Sequence, residues 1–242
     1  MSCCQLAGHC GTEDDLLATT WADWFASAQR ALIELERECD TVVVGGLSIG
    51  AVLALRIAAL HPDRVHGLAL FAPTLWYDGW AMPWYSFLLK FAFTVKWHDH
   101  RRLAEREPYG IKDDSIRSIV AGAMLSGNSA EAGLTCTPLG ALREADQLVR
   151  DVKRRLSSIK VPALIIHPRE DDISDLSNAI YLQRHLGGPA ECVVLDDSYH
   201  IITVDRQRSV VIDRTIHFIE FIQRRLASER ESDTRVVPIA VR

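Results

Sequence analysis

Residues 41–50 read Thr41-Val42-Val43-Val44-Gly45-Gly46-Leu47-Ser48-Ile49-Gly50. A short β-branched run closed by glycines reads as a strand buried on both faces. The Ala- and Leu-rich stretch from Leu47 to Leu60 reads as a helix, stopped by His61-Pro62. The alternation continues outward from there. Upstream, Leu16 to Glu38 carries Leu17, Trp21, Trp24, Phe25, Ala28, Leu32 and Leu35 at three-to-four spacing, which draws a stripe down one helix. Downstream, Val65 to Phe71, Val161 to His167 and Ala190 to Leu195 read as strands and Asn178 to Leu186 as a helix. An amphipathic helix with Val210, Val211, Ile216, Phe218, Ile219, Ile222 and Leu226 follows. Strands alternating with helices predict an α/β fold, a mostly parallel sheet flanked by helices.

From Leu75 to Leu142 the pattern changes, with Trp76, Tyr77, Trp80, Trp84, Tyr85, Phe87, Phe91, Phe93 and Trp97 crowded together. This segment lies between two strands and reads as an aromatic-rich helical cap, inserted over the C-terminal edge of the sheet where such folds place ligands. The expected organisation is a first part of the core over 1–74, the cap over 75–142, a second part of the core over 143–226, and a charged, aperiodic tail over 227–242 that frays. No internal repeat or low-complexity tract interrupts it.

Composition narrows the function classes. A chain of 242 residues, 48% hydrophobic and 24% charged, buries a sizeable core in one globular domain. Lys and Arg number 27 against 32 Asp and Glu, a formal charge of −5, so there is no basic field for nucleic acid or an anionic membrane surface. Six irregularly spaced cysteines are too few for a disulfide framework and read as reduced thiols in a cytoplasmic protein. Cys3, Cys4, His9 and Cys10 lack the two-plus-two spacing of a tetrahedral site, so neither metal nor cofactor is expected. No apolar run approaches the roughly 18 residues that span a bilayer, and no signal-like segment opens the chain.

Gly46-Leu47-Ser48-Ile49-Gly50 matches G-x-S-x-G directly after a strand and at the start of a helix, the context of a nucleophile elbow. There the Ser48 hydroxyl projects from the sheet edge over a helix N-terminus, and the Ile49 amide can donate to a developing oxyanion. The competing reading is a glycine-rich turn whose serine caps the helix. A serine nucleophile needs a base to take its proton and a carboxylate to orient the base. Glu170-Asp171-Asp172 follows one strand and Asp196-Asp197-Ser198-Tyr199-His200 follows the last, in the order Ser, acid, His. The residues alone do not choose between Asp171 and Asp172; one faces the site and the other caps or faces solvent. His61, His66, His185 and His217 read as surface or packing residues, and His98 and His100 fall in the cap. His167 ends a strand and is within reach of the site, but upstream of the acids.

From Ala7-Gly8-His9 to about Phe221 the chain resembles the α/β-hydrolase superfamily, most of all its small bacterial carboxylesterases and monoacylglycerol-lipase-like members. The resemblance is carried by Gly46 to Gly50, Arg169 to Ile173, and Asp196 to Asp205. Matched position by position, it implies Ser48 as nucleophile, Asp171 rather than Asp172 as acid, and His200 as base. It also implies an N-terminal block of strands ending in a His-Gly loop with a second oxyanion donor. Gly8-His9-Cys10-Gly11 is similar to the turn that follows that block, and roughly four strands of the family's sheet have no counterpart in residues 1–242. A late start codon, a true truncation, or a strand supplied by a second copy each account for this, and a homodimer through the exposed strand edge follows from the last.

The leading expectation is hydrolysis of carboxylic esters through a Ser48-His200-Asp171 triad and an acyl-enzyme, with the Ile49 amide as oxyanion donor. Trp76, Trp80 and Trp84 are the expected contacts to an apolar acyl or alkyl group. The alternative is a weak or inactive relative that binds apolar ligands or a protein partner. Amide hydrolysis ranks below esters, and dehalogenation is disfavoured because it needs a carboxylate where Ser48 stands.

Overall fold

The computed structural model describes residues 2–83, 100–126 and 133–235. Its centre is a four-stranded parallel sheet in the order β1 (Val43–Leu47), β2 (Gly67–Phe71), β5 (Ala163–Pro168), β6 (Ala190–Leu195). Helices α1 (Glu13–Leu17) and α2 (Trp21–Leu35) precede β1, and α3 (Ile49–Leu60) connects β1 to β2. A hairpin of β3 (Arg102–Ala104) and β4 (Cys136–Pro138) pairs antiparallel in the long connection to β5, with α4 (Asp114–Leu125) between its strands and α5 (Leu139–Lys153) after it. Helix α6 (Ser177–His185) links β5 to β6, and α7 (Arg208–Arg235) follows.

Side-chain alternation along the strands builds two cores from one sheet. On β5, Ala163 and Ile165 face a cluster with Leu53, Leu55 and Ile57 of α3 and Leu148 and Val152 of α5. Leu164 and Ile166 face the opposite cluster, with Val211, Phe218 and Ile222 of α7. All six β5 residues are buried, as expected of a strand covered on both sides. Helix α3 buries Ala51 to Leu55, Ile57 and Ala58, which is why its apolar residues go round the helix rather than forming a stripe.

Three expectations change. The single helix over 16–38 is two, because Asp23 accepts the backbone N–H and hydroxyl of Thr20 and starts a new helix there, leaving α1 behind it. The boundary at 142 falls inside α5, which packs on α3 and α2 and belongs to the core. The tail expected to fray from 227 is helical to Arg235, supported on its surface by an Arg225–Glu229 pair at i,i+4. The aromatic cluster over 84–99 lies outside the described residues. Among the described residues no helix is long and apolar enough to cross a membrane.

The turn after β1 explains its glycines unequally. A Cβ on Gly46 would lie 2.3 Å from the backbone carbon of Gly50, whereas one on Gly50 would meet nothing within 4 Å. Gly46→Ala is therefore expected to cost about 2 kcal/mol or more, and Gly50→Ala, in the first turn of α3, to be neutral or to stabilise by up to about 1 kcal/mol. Urea unfolding of the two variants checks this, and equal losses would contradict it.

Candidate active site

The C-terminal ends of all four parallel strands carry the candidate residues. Ser48 follows β1 with φ 55° and ψ −118°, outside the regions open to ordinary L residues, and its N–H donates to Phe71 O at 2.9 Å. It is the N-cap residue of α3, yet its side chain makes no cap hydrogen bond, so the capping reading does not hold. Its Oγ lies 3.0 Å from Thr74 Oγ1, beyond the end of β2, and the Thr74 hydroxyl donates to Ser174 Oγ at 3.1 Å. Ile49 is the first residue of α3, where backbone N–H groups lack intrahelical partners.

The loop after β5 separates the two aspartates. Asp171 Oδ1 accepts the N–H groups of Ile173 and Ser174, both at 2.8 Å, and its carboxylate accepts His200 Nδ1–H at 2.8 and 3.0 Å. Burial pushes the Asp171 pKa up, but the His200 imidazole and the donated hydrogen bonds outweigh it and hold the group below the usual carboxylate range. Asp172 is also buried and meets backbone instead, accepting Gly110 N–H at 2.9 Å and His200 N–H at 3.3 Å. Burial raises its pKa. It neither faces solvent nor touches the imidazole; it anchors the loop that carries it.

Asp205 completes the base loop. Fully buried, it accepts N–H groups from Lys112 and Tyr199 on Oδ2 and from Asp113 and Arg206 on Oδ1, at 2.7 to 2.9 Å. The 110–113 segment and the His200 loop are thereby tied together, and Ile201 N–H to Gly110 O at 2.7 Å adds to this. No hydrogen bond runs from Ser48 to His200 among the described residues; Ser48 is connected to Asp171 through Thr74 and Ser174.

The aromatic expectations divide. Trp80 is exposed, donates from Nε1 to Glu170 O at 3.0 Å and meets Tyr199 edge-on at 5.4 Å, between the acid and base loops. Trp76 packs edge-on against Tyr181 under Lys153, on the core side. Trp84 lies outside the described residues.

Gly79, Ala81 and Glu105 were not singled out from sequence, whereas Trp80 and His167 were. Gly79, Trp80 and Ala81 donate their N–H groups to the carbonyls of Ile173, Asp171 and Asp172, and a Cβ on Gly79 would meet Asp172 and Ile173 backbone at 2.3 Å. Glu105 accepts from Thr137, and its pKa is raised by burial and then by the charge of Asp172. His167, fully buried, donates from Nε2 to Ser174 O at 2.9 Å and lies 3.4 Å from Asp171 Oδ2, which leaves Nδ1 as a buried acceptor without a partner among the described residues. No local pattern flags Gly79, Ala81 or Glu105; only their partners across the chain do.

Residues 19–207, well over half of the chain, match the model of the family described as serine aminopeptidase, S33. The chain belongs to that family. It is 28% identical over 215 residues to a thermostable monoacylglycerol lipase of Bacillus sp. (strain H-257), covering 88% of this chain and 76% of that one. A carboxylesterase of Bacillus subtilis (strain 168) is 21% identical over 220 residues, 89% of this chain and 79% of its own. Among solved structures, a metagenome-derived lipolytic enzyme from a study of LipS and LipT superposes with a TM-score of 0.74 at 25% identity, covering 89% of this chain and 80% of that one. A soluble variant of monoglyceride lipase from Saccharomyces cerevisiae gives 0.70 at 14% identity, over 91% and 76%, a likeness of fold. The S33 family member is thus an α/β-hydrolase with lipase- and esterase-like relatives, and a hydrolase.

Burial pushes the His167 pKa below its ordinary value, against the pull of Asp171. A depressed imidazole pKa means that the unfolded chain binds the proton first, so stability is expected to fall as pH drops below about 6.5. His167→Gln, which keeps a donor for the Ser174 carbonyl, should flatten that decline between pH 6.5 and 5. Urea midpoints across this range test it; an unchanged slope would contradict it.

Proposed function

We propose that this S33 family member hydrolyses carboxylic esters with an apolar acyl or alkyl group. The observation that carries the reading is the buried Asp171–His200 pair on the sheet rim that also bears Ser48 at positive φ. Ser48 Oγ attacks the acyl carbon as His200 Nε2 takes its proton, and the Ile49 amide donates to the oxyanion. The alkoxide leaves with the proton from His200, and water, activated by the same imidazole, cleaves the acyl-enzyme. Asp171 holds Nδ1–H in place and stabilises the imidazolium. Trp80, exposed between the acid and base loops, offers an apolar face to the substrate; Trp84 completes the proposed contact set, and Trp76, packed on the core side against Tyr181 and Lys153, is left out of it. Relatives named lipase and carboxylesterase favour esters over peptides, and six free cysteines fit a reducing, cytoplasmic setting.

Purified chain and Ser48→Ala are compared on short and medium p-nitrophenyl esters, with an aminoacyl p-nitroanilide in parallel. The expected result is ester turnover that falls at least about 10³-fold in Ser48→Ala. Equal ester rates would remove the triad, faster anilide cleavage would move the assignment to peptidase, and no turnover would favour the non-catalytic binder.

A separate observation favours self-association. His66 N–H donates to Val42 O and Ser48 N–H to Phe71 O, so the even-numbered residues of β1 turn their backbone groups towards β2. Val43, Gly45 and Leu47 turn theirs outward, where no described strand pairs with them. We propose that this edge pairs antiparallel with a second copy about a two-fold axis at Gly45, setting Val43 against Leu47 of the partner subunit. An apolar cavity of about 310 Å³, lined by Leu32, Leu35, Val44 and Leu53, flanks the edge. Sedimentation is expected to show a dimer that Val43→Pro, which removes an outward N–H only, converts to monomer. A monomeric parent chain would refute the pairing.

A further inference from the structure

Three hydroxyls in a row connect the proposed nucleophile to the acid loop. Ser48 Oγ is 3.0 Å from Thr74 Oγ1, and Thr74 is 3.1 Å from Ser174 Oγ. Thr74 and Ser174 are buried, so water does not replace either partner. A hydroxyl has one proton and two acceptor lone pairs. The proton of Thr74 goes to Ser174 Oγ, with Ala72 O more distant at 3.4 Å. Its oxygen is then left to accept, and the Ser48 O–H is the donor in reach.

Ser174 is held on every side. Its N–H donates to Asp171 Oδ1 at 2.8 Å and its carbonyl accepts His167 Nε2–H at 2.9 Å. The turn that orients Asp171 therefore also orients the acceptor that directs the Thr74 proton. From this, and resting on the reading of Ser48 as nucleophile, we propose that Thr74 is a positioning residue: it parks the Ser48 hydroxyl away from His200, in a resting hydrogen bond that is exchanged for one to the imidazole before attack.

The parked bond stabilises the unreactive arrangement, so removing it raises the fraction of Ser48 free to meet His200. A net hydrogen bond of ordinary strength corresponds to about fivefold in that fraction. The same device explains why Ser48 makes no bond to His200 here although His200 is already oriented by Asp171.

The test is the second-order rate of Ser48 labelling by a fluorophosphonate, in which the Oγ–phosphorus bond forms, the phosphorus–fluorine bond breaks and the serine proton passes to His200. Thr74→Val keeps the β-branched shape without the oxygen, and labelling is expected to rise about fivefold, with kcat on p-nitrophenyl butyrate rising in step and KM unchanged. Thr74→Ser restores the oxygen and should label at the parent rate. Thr74→Ala also removes the oxygen, in a smaller side chain, and should accelerate labelling likewise; it decides the matter if Thr74→Val does not fold. Labelling of both variants at or below the parent rate, with unchanged Tm, would overturn the parking role while leaving Ser48 as nucleophile. Failure of the parent chain to label would overturn the nucleophile and this proposal together.

Discussion

The buried carboxylate of Asp171 governs the geometry of the rim. An ionised group taken out of water is costly unless paired and hydrogen-bonded, and that demand recruits its neighbours. Two amides of its own turn, the His200 imidazole and, more distantly, His167 converge on it. Each of these partners belongs to a segment that must then sit in one place. The turn becomes rigid, the imidazole keeps one tautomer, and Ser174 is delivered beneath Thr74.

Three buried aspartates close together would repel one another if all served the same purpose. They do not. Asp171 meets an imidazole, Asp172 meets the backbone of His200 and Gly110, and Asp205 satisfies four amides at once. Asp172 and Asp205 bind the 110–113 segment to the base loop, with Ile201 N–H to Gly110 O beside them, so this described part of the connection between β2 and β5 is fastened to the acid and base loops without joining the central sheet. Gly79, packed on the Asp172–Ile173 backbone, fastens the other end of that connection. The chemistry proposed for Ser48 needs all of these loops held at once, because positioning errors of an ångström are costly in acyl transfer.

The parallel sheet supplies the frame. Two apolar faces on alternating residues of β5 allow helices on both sides, and the polar loops gather beyond the strand ends, where backbone groups are free to bind. Among the described residues Cys10, Ser48, Ala72 and Tyr109 are the non-glycine residues at positive φ, and Ser48 is held there by its bond to the end of β2 and by the tight approach of Gly46 to Gly50.

Periodicity acts over a few residues, so the strands, α3 and the G-x-S-x-G turn were readable directly; β6 was expected at Ala190 to Leu195 and lies there. The order of Ser48, the acids and His200 was equally plain. Hairpin β3–β4 was not, because its strands are three residues each and pair across a long insertion, and α5 was obscured by the same insertion. The choice between Asp171 and Asp172, adjacent and chemically identical, rests on which one meets an imidazole 29 residues away. The Thr74–Ser174 bond spans 100 residues, and the Asp205 bonds to Lys112 and Asp113 span 93 and 92. Such contacts form only when the sheet has brought distant loops to one edge, and no local pattern of residue types encodes them.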